Sequence, residues 1–193
     1  MKFVPIREIR VNSIRVHMNS IVLLSGPVGA GKSTVAKELI ALSTGPVAYI
    51  EGDTFWSFIA KGAGGTSNRN FKMVMTAMMA AAVPYALYGN EVILDFSIPP
   101  WFLETAIKIV KNRAIALHYV VLRPSEKVCA ARAATRHEGK IADYKLYHDL
   151  YTSFNQVQRY IIPDDTSDPL GIAQKVREGL DDGIFMINTN NHE

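Results

Sequence analysis

The stretch Gly26-Pro27-Val28-Gly29-Ala30-Gly31-Lys32-Ser33-Thr34 decides the fold. It follows a short apolar run at residues 21–24, which is typical of a buried parallel strand, and it leads into helical apolar spacing over residues 32–42. Glycines let a loop curl so that successive N–H groups point into one concavity. A helix that begins near Lys32 adds the positive end of its dipole. The stretch therefore predicts a phosphate site between a strand and a helix.

Two side chains of this loop suit a nucleoside triphosphate. The Lys32 ammonium would neutralise the β- and γ-phosphates, and the Ser33 hydroxyl would ligate Mg²⁺. Because the chain has no Asn-Lys-x-Asp segment of the kind that reads guanine, we expect ATP rather than GTP. The alternative is a glycine-rich helix start that binds no ligand. The predicted strand before the loop and the predicted helix after it disfavour this alternative. The predicted ATP-binding residues are Gly26, Pro27, Val28, Gly29, Ala30, Gly31, Lys32, Ser33 and Thr34.

Length and composition indicate a single packed domain. The chain has 193 residues, of which 48% are apolar. The single cysteine, Cys129, excludes an internal disulfide framework and a zinc site built from cysteines, and it favours a reducing, cytoplasmic location. No apolar run is long enough to cross a bilayer.

The positive charge is concentrated at the start of the chain. Residues 1–17 contain four cations and one carboxylate, which accounts for the whole net charge of +3. The rest of the chain has no net charge, which argues against nucleic-acid binding, because proteins that bind nucleic acid rely on basic faces. We expect residues 1–17 to form a basic leader or an extra edge element and residues 18–193 to form the domain, with Met1 or Met18 as the start.

Apolar runs alternate with helical patterns along the whole chain. This alternation predicts an α/β fold, a three-layer sandwich with a parallel sheet and helices on both faces, because parallel strands need long crossovers. The predicted strands are residues 21–24, 47–50, 92–94, 115–122 and 160–162. The predicted longer helices are residues 32–42, 68–88, 101–111, 125–136, 143–157 and 169–180.

Acidic side chains follow two of the predicted strands, at the edge where doubly wound sheets bind ligands. Asp95 ends the third strand and would hold Mg²⁺, directly or through water, or sit against the acceptor. Asp53 follows the second strand and would orient an alcohol and accept its proton. Capping the next short helix is the alternative role for Asp53. Glu51 is a weaker candidate, and the choice between Asp53 and Asp95 as the base stays open.

Arg132 and Arg136 are four residues apart in a predicted helix and would share one face. Two guanidinium groups on one face can close over a triphosphate and neutralise the transferring phosphoryl group. The alternative is a solvated basic face. Behind a phosphate loop we favour a lid near residues 125–145. The aromatic residues near the strand ends would line an acceptor pocket or pack in the core; they are Trp56, Phe58, Trp101 and Phe102.

The pattern resembles the P-loop kinases of the nucleoside-monophosphate-kinase type. It is most similar to the small bacterial phosphotransferases related to chloramphenicol phosphotransferase, gluconate kinase and zeta toxin. The matching pieces span residues 20–182, nearly the whole body; they are residues 26–34, 52–53, 92–95 and 121–126 with Arg132 and Arg136, and more weakly 161–166.

The resemblance implies a five-stranded parallel sheet in the order 2-3-1-4-5 and transfer of phosphoryl from ATP to an alcohol. It implies a catalytic role for Asp53, lid roles for Arg132 and Arg136, and adenine contacts from residues 163–166. The segments that read a nucleoside monophosphate or a sugar acid have no match here. The acceptor and the oligomeric state therefore stay open.

The sequence favours a small-molecule phosphotransferase that uses Mg²⁺ and ATP. Lys32, Asp53, Arg132 and Arg136 are its predicted catalytic residues, and Ser33 and Asp95 are its predicted metal ligands. Its acceptor would be a sugar, sugar acid, nucleoside, nucleotide or antibiotic. A nucleotide-binding switch or regulatory ATPase without an acceptor is the main alternative. A kinase that acts on nucleic-acid ends is a weaker one.

Overall fold

The structure is a computed structural model that describes residues 19–61, 68–136 and 139–189. Some predicted features lie outside the described residues: the basic leader at residues 1–17, a start at Met18 and, within the predicted lid, His137 and Glu138. The strands are β1 Ser20–Ser25, β2 Val47–Glu51, β3 Glu91–Asp95, β4 Ala116–Leu122 and β5 Ile161–Ile162.

Six α-helices alternate with these strands in the described part of the chain: α1 Lys32–Leu42, α2 Asn68–Leu87, α3 Leu103–Val110, α4 Glu126–Ala134, α5 His148–Ser153 and α6 Pro169–Asp181. Four 3-10 helices lie between them at Gly52–Phe58, Pro100–Phe102, Tyr144–Tyr147 and Phe154–Tyr160.

The five strands form one parallel sheet in the order β2-β3-β1-β4-β5, which confirms the predicted sheet. Asp95 is in register with Leu24 of β1 on one side and with Glu51 of β2 on the other. The carboxyl ends of β1, β2 and β3 therefore meet at one edge of the sheet, where the loop after β1 begins.

Alternate residues of the central strands face two separate apolar cores. Ile21 and Leu23 belong to a cluster with α2 and α3, whereas Val22 and Leu24 belong to one with α1 and α6. A strand covered on both faces has an unbroken apolar sequence, which explains residues 21–24. The prediction of helices on both faces of the sheet is confirmed.

Helix α2 crosses the first of these cores. Met75, Met78 and Met79 are fully buried in it, whereas Met73 is half exposed. No helix in the described part of the chain combines the length and the apolar character that a membrane span requires.

The prediction of one helix over residues 125–136 is wrong at its end. Helix α4 ends at Ala134, and Thr135 is its C-cap. The Thr135 hydroxyl bonds the carbonyl oxygens of Ala131 and Arg132 at 3.3 and 3.2 Å. The Thr135 amide donates to the Arg132 carbonyl at 3.3 Å, an i→i−3 bond of the kind that tightens the last turn of a helix. Arg136 lies beyond the helix, so it does not share a helical face with Arg132.

The helical prediction for residues 143–157 is confirmed only in part, because residues 144–160 are helical but do not form one α-helix. The segment consists of a 3-10 turn, the six-residue α5 and a second 3-10 stretch. Val157 has φ −129° and ψ 43°, which interrupts the last of these. The chain then reaches β5, which contributes two residues to the sheet rather than the predicted three.

Candidate functional site

Three glycines of the loop after β1 have backbone angles that other residues rarely adopt. Gly26, Gly29 and Gly31 have φ of 142°, 82° and 90°. A Cβ on Gly26 would lie 2.1 Å from the carbonyl oxygen of Leu122, and one on Gly29 would lie 2.2 Å from that of Cys129. The loop therefore packs backbone to backbone against the end of β4 and the start of α4, and only glycine fits there.

The loop passes directly into α1. The Ala30 amide donates to the Pro27 carbonyl at 3.2 Å, and Gly31 is the N-cap of the helix. Because glycine has no side chain, this cap residue does not accept from the amides of the first turn. The N-terminus of an α-helix in this state favours anions, through its N–H groups and its dipole.

The Lys32 ammonium lies at the centre of the site. It donates to the carbonyl oxygens of Gly26 and Pro27 at 3.2 and 3.1 Å and to the Ser97 hydroxyl at 3.1 Å. Burial lowers the pKa of Lys32, the carboxylates of Asp95 and Asp53 oppose that change, and Arg136 adds to it. Both predicted acidic residues and one predicted lid arginine are therefore within electrostatic range of Lys32.

Asp95 is buried at the end of β3 and is held by a tyrosine from the neighbouring strand. The Tyr49 hydroxyl donates to Asp95 Oδ2 at 2.9 Å. Burial raises the pKa of Tyr49, as do the charge of Asp95 and the hydrogen bond to it, while a hydrogen bond with Ser33 acts in the opposite direction. The Tyr49 hydroxyl thus holds one oxygen of the carboxylate that is predicted to bind the metal.

The donor set at this point fits Mg²⁺. Proteins hold this ion through one or two carboxylates, with water and substrate phosphates completing the octahedron. Ser33 in the first turn of α1 and Asp95 at the end of β3 would supply a hydroxyl and a carboxylate oxygen. Within residues 19–61, 68–136 and 139–189, three or more His, Cys, Asp or Glu side chains nowhere gather as a metal cage. An ion held by Ser33 and Asp95 would keep its other positions for water and phosphate oxygens.

Asp53 is exposed and is the second residue of the 3-10 helix Gly52–Phe58. The N-cap of that helix is Glu51, so the alternative that Asp53 caps it is not observed. A Cβ on Gly52 would lie 2.4 Å from the ring of Phe96. This close packing brings the end of β2, and with it Asp53, against the residues that follow β3.

Aromatic side chains cluster around Phe71. The Phe71 ring lies 6.3 Å from Trp56, 5.3 Å from Phe96 and 6.4 Å from Trp101. Trp101 and Phe58 are exposed, whereas Phe102 is fully buried in the core. Core packing therefore describes Phe102, and Trp56 packs against the same core from the 3-10 helix that contains Asp53.

The segment 125–145 lies against the loop. The Tyr144 hydroxyl donates to the Val28 carbonyl at 2.7 Å, and Tyr144 packs with Cys129 and Ala133 in a small buried cluster. Cys129 is fully buried and packs in this cluster. The segment and the loop are thus joined by apolar packing and a hydrogen bond.

Both arginines are exposed, and they approach the loop separately. The Arg132 guanidinium lies 3.8 Å from the position that a Cβ on Gly31 would occupy. Arg136 reaches the neighbourhood of Lys32 from beyond the end of α4. They converge on the loop even though only Arg132 is helical.

The loop after β5 is ordered by two aspartates. Asp164 accepts from the amides of Thr166 and Ser167 at 3.0 and 2.8 Å and from the Lys175 ammonium, and these bonds, that to Lys175 above all, hold its pKa well below the ordinary value. Asp165 accepts from the Ser125 amide. The loop predicted to contact adenine is therefore attached to the start of α4.

A family model described as an AAA domain matches residues 21–146. The chain belongs to this AAA domain family. The match covers the glycine loop, both acidic strand ends and both arginines. A search of curated proteins finds no match to the chain.

Solved structures similar to this AAA domain include the tunicamycin resistance protein of Deinococcus radiodurans, with a TM-score of 0.66 and 16% identity over 88% of this chain and 98% of that one. The shikimate kinase of Acinetobacter baumannii, solved with shikimate, has a TM-score of 0.61 and 18% identity over 87% and 96% of the two chains. The APS kinase of Mycobacterium tuberculosis, solved with AMPPNP and APS, has a TM-score of 0.61 and 18% identity over 86% and 98%. These similarities show the fold, which is that of the P-loop kinases, as predicted.

Sequence reasoning missed Tyr49, Ser97 and Tyr144, which contact the loop or its acidic neighbour. Strand alternation contained a signal for Tyr49, because residues 49 and 51 share a face of β2 and Glu51 is in register with Asp95. Tyr144 is 116 positions away from its partner Val28, so no local pattern could pair them.

Proposed function

We propose that this protein is a phosphotransferase that moves the γ-phosphoryl group of ATP to an alcohol of a small molecule. One observation carries the proposal: the register of β1, β2 and β3 brings Asp53 and Asp95 to the edge of the sheet where the glycine loop begins. A triphosphate held by the loop would present its γ-phosphate to these carboxylates. A site that only bound nucleotide would not need an exposed carboxylate such as Asp53 there.

The loop residues would bind ATP in this proposal. The amides of residues 26–34 would surround the phosphates, and the Lys32 ammonium would leave its present carbonyl acceptors to neutralise the β- and γ-phosphates. Ser33 and Asp95 would hold Mg²⁺, which neutralises charge on the same phosphates when bound. AMPPNP in the similar APS kinase supports ATP as the donor.

Asp53 would act on the acceptor. Its carboxylate would accept the hydroxyl proton of the alcohol as the alcohol oxygen bonds to the γ-phosphorus. The bond from the γ-phosphorus to the bridging oxygen breaks at the same time, and ADP leaves with that oxygen. Arg132 and Arg136 would neutralise the charge spread over the transferring group.

The acceptor would lie between Asp53 and the aromatic side chains beside it. Trp56 and Trp101 are the only two tryptophans of the chain, and both rings lie within 6.4 Å of the Phe71 ring. Trp56 is in the same 3-10 helix as Asp53. Tryptophan fluorescence therefore reports on this part of the protein. Fluorescence titration with ADP and Mg²⁺ present offers a screen for candidate acceptors that does not depend on turnover.

The test is ADP release with a panel of sugars, sugar acids, nucleosides and antibiotics. We expect at least one compound to stimulate ADP release, and the Asp53→Asn variant to lose the stimulation while it still binds ATP. The control is Asp182→Asn, which changes an exposed aspartate at the end of α6. ADP release that no acceptor stimulates, and that is equal in Asp53→Asn and wild type, would favour the alternative of a nucleotide-binding switch.

A further inference from the structure

The side chain of Tyr49 belongs to the edge strand of the sheet but reaches the centre of the site. Tyr49 pairs with Ile93 of β3. Asp95 is two positions further along β3 and therefore lies on the same face of the sheet. Ile93 belongs to the core that contains α1. Tyr49 therefore lies on the face of the sheet that α1 covers, and Ser33 is in the first turn of α1.

The polar end of Tyr49 bonds the buried carboxylate. The hydroxyl donates to Asp95 Oδ2 at 2.9 Å. A tyrosine hydroxyl has one proton, so this bond uses its donor capacity and fixes that oxygen of Asp95. The Lys32 ammonium meanwhile donates to two loop carbonyls and to Ser97.

We propose that Tyr49 is a positioning residue for the magnesium site, whose hydroxyl fixes one oxygen of Asp95. This inference rests on the proposed function. With Oδ2 engaged, the second oxygen of Asp95 serves the metal or its water. Hydrogen-bond partners of metal ligands act in this way because they restrict the ligand to one rotamer, and their loss typically costs about 10–100-fold in metal affinity or activity.

The variant that isolates this role is Tyr49→Phe. It removes the hydroxyl and keeps the ring, so the packing of β2 stays. Tyr49 is 38% exposed, and its substitution leaves no cavity in the core. The matched control is Tyr88→Phe, which removes the hydroxyl of an 88% exposed tyrosine after the end of α2.

The experiment measures Mn²⁺ binding by electron paramagnetic resonance with ATP present, and ATP binding by calorimetry in EDTA. We expect Tyr49→Phe to weaken Mn²⁺ binding by about tenfold or more and to leave metal-free ATP binding unchanged. Equal Mn²⁺ affinity in Tyr49→Phe and wild type would overturn the inference, as would an equal loss in the Tyr88→Phe control. Loss of ATP binding in EDTA would also overturn it, because Tyr49 would then support the loop instead.

The same data separate this inference from the proposed function. If wild-type protein binds no ATP, the proposed function fails. If wild type binds ATP and Mn²⁺ normally and Tyr49→Phe does too, only the role of Tyr49 fails. Excess Mg²⁺ should restore the turnover of Tyr49→Phe, because a weakened site fills again at a higher concentration.

Discussion

The hydroxyl of Tyr144 donates a 2.7 Å hydrogen bond to the carbonyl oxygen of Val28, which lies in the glycine loop. Tyr144 also packs on Cys129 of α4, and a Cβ on Gly29 would collide with the backbone of the same cysteine. The loop therefore rests on residues that belong to the segment 125–145. Any movement of that segment has to involve the loop conformation.

Removal of this hydroxyl should loosen the loop. A hydrogen bond between neutral groups contributes about 1 kcal/mol to stability, and Tyr144→Phe should lower the free energy of unfolding by about that amount. We expect ATP binding to weaken by about fivefold, since the same energy orders the loop. Chemical denaturation and calorimetry measure the two effects. Tyr85→Phe, at a half-exposed tyrosine of α2, is the control, and equal behaviour of both variants would contradict the expectation.

Lys32→Ala removes the ammonium from the centre of the site. Loss of one charge-stabilising donor costs about 100-fold or more in rate, and we expect the acceptor-stimulated turnover to fall by at least that factor. Lys37→Ala changes an exposed lysine on the same helix and should keep wild-type turnover. Steady-state kinetics checks both variants, and near-normal turnover of Lys32→Ala would refute the role of this residue.

Gly29→Ala tests the close backbone packing of the loop. The new Cβ would meet the Cys129 carbonyl at 2.2 Å in addition to an unfavourable φ of 82°. Gly183→Ala separates the two causes, because Gly183 has φ 70° and open space around its Cβ position. We expect Gly183→Ala to cost about 1 kcal/mol, from backbone strain alone. Gly29→Ala should cost more than that and should abolish ATP binding. Equal unfolding free energies of Gly29→Ala and Gly183→Ala would show that the collision with Cys129 adds no cost beyond backbone strain.

Asp164 should make stability depend on pH at the acid end. Its pKa is depressed in the folded protein relative to an ordinary value of 3.8, mainly by the hydrogen bond from Lys175. Stability from this group is therefore fully present above pH 3.8 and is lost as pH falls below that value. Wild type should be more stable than Asp164→Asn at neutral pH, with the difference shrinking in acid. Thermal unfolding against pH measures this, and a constant difference down to strong acid would contradict it.

The loop, α1 and the sheet could be predicted because local sequence determines them. Positive φ at three positions demands glycine, and strands covered on both faces demand unbroken apolar runs. The predicted bounds of α1, residues 32–42, agree with the structure. The sequence also predicted that Asp53, Asp95 and Lys32 lie near one another, because the carboxyl ends of parallel strands meet at the same edge of the sheet.

The parts that sequence reasoning missed depend on where a helix ends or on distant contacts. Arg136 lies outside α4 because the helix closes at Thr135 with an i→i−3 bond to Arg132. The segment 143–157 breaks into short turns, while Tyr144 within it is fixed by Val28 at the other side of the site. Tyr49 contacts Asp95 only because β2 and β3 are neighbours in the sheet. The two residues are 46 positions apart in the sequence.

The central claim is that the amides of residues 26–34 and the Lys32 ammonium bind a triphosphate. Calorimetric titration of the folded protein with ATP and Mg²⁺ tests it most directly. We expect saturable binding of one ATP per chain, and a loss of that binding in Gly29→Ala but not in Lys37→Ala. Well-folded wild-type protein that binds neither ATP nor GTP in the presence of magnesium would contradict the claim.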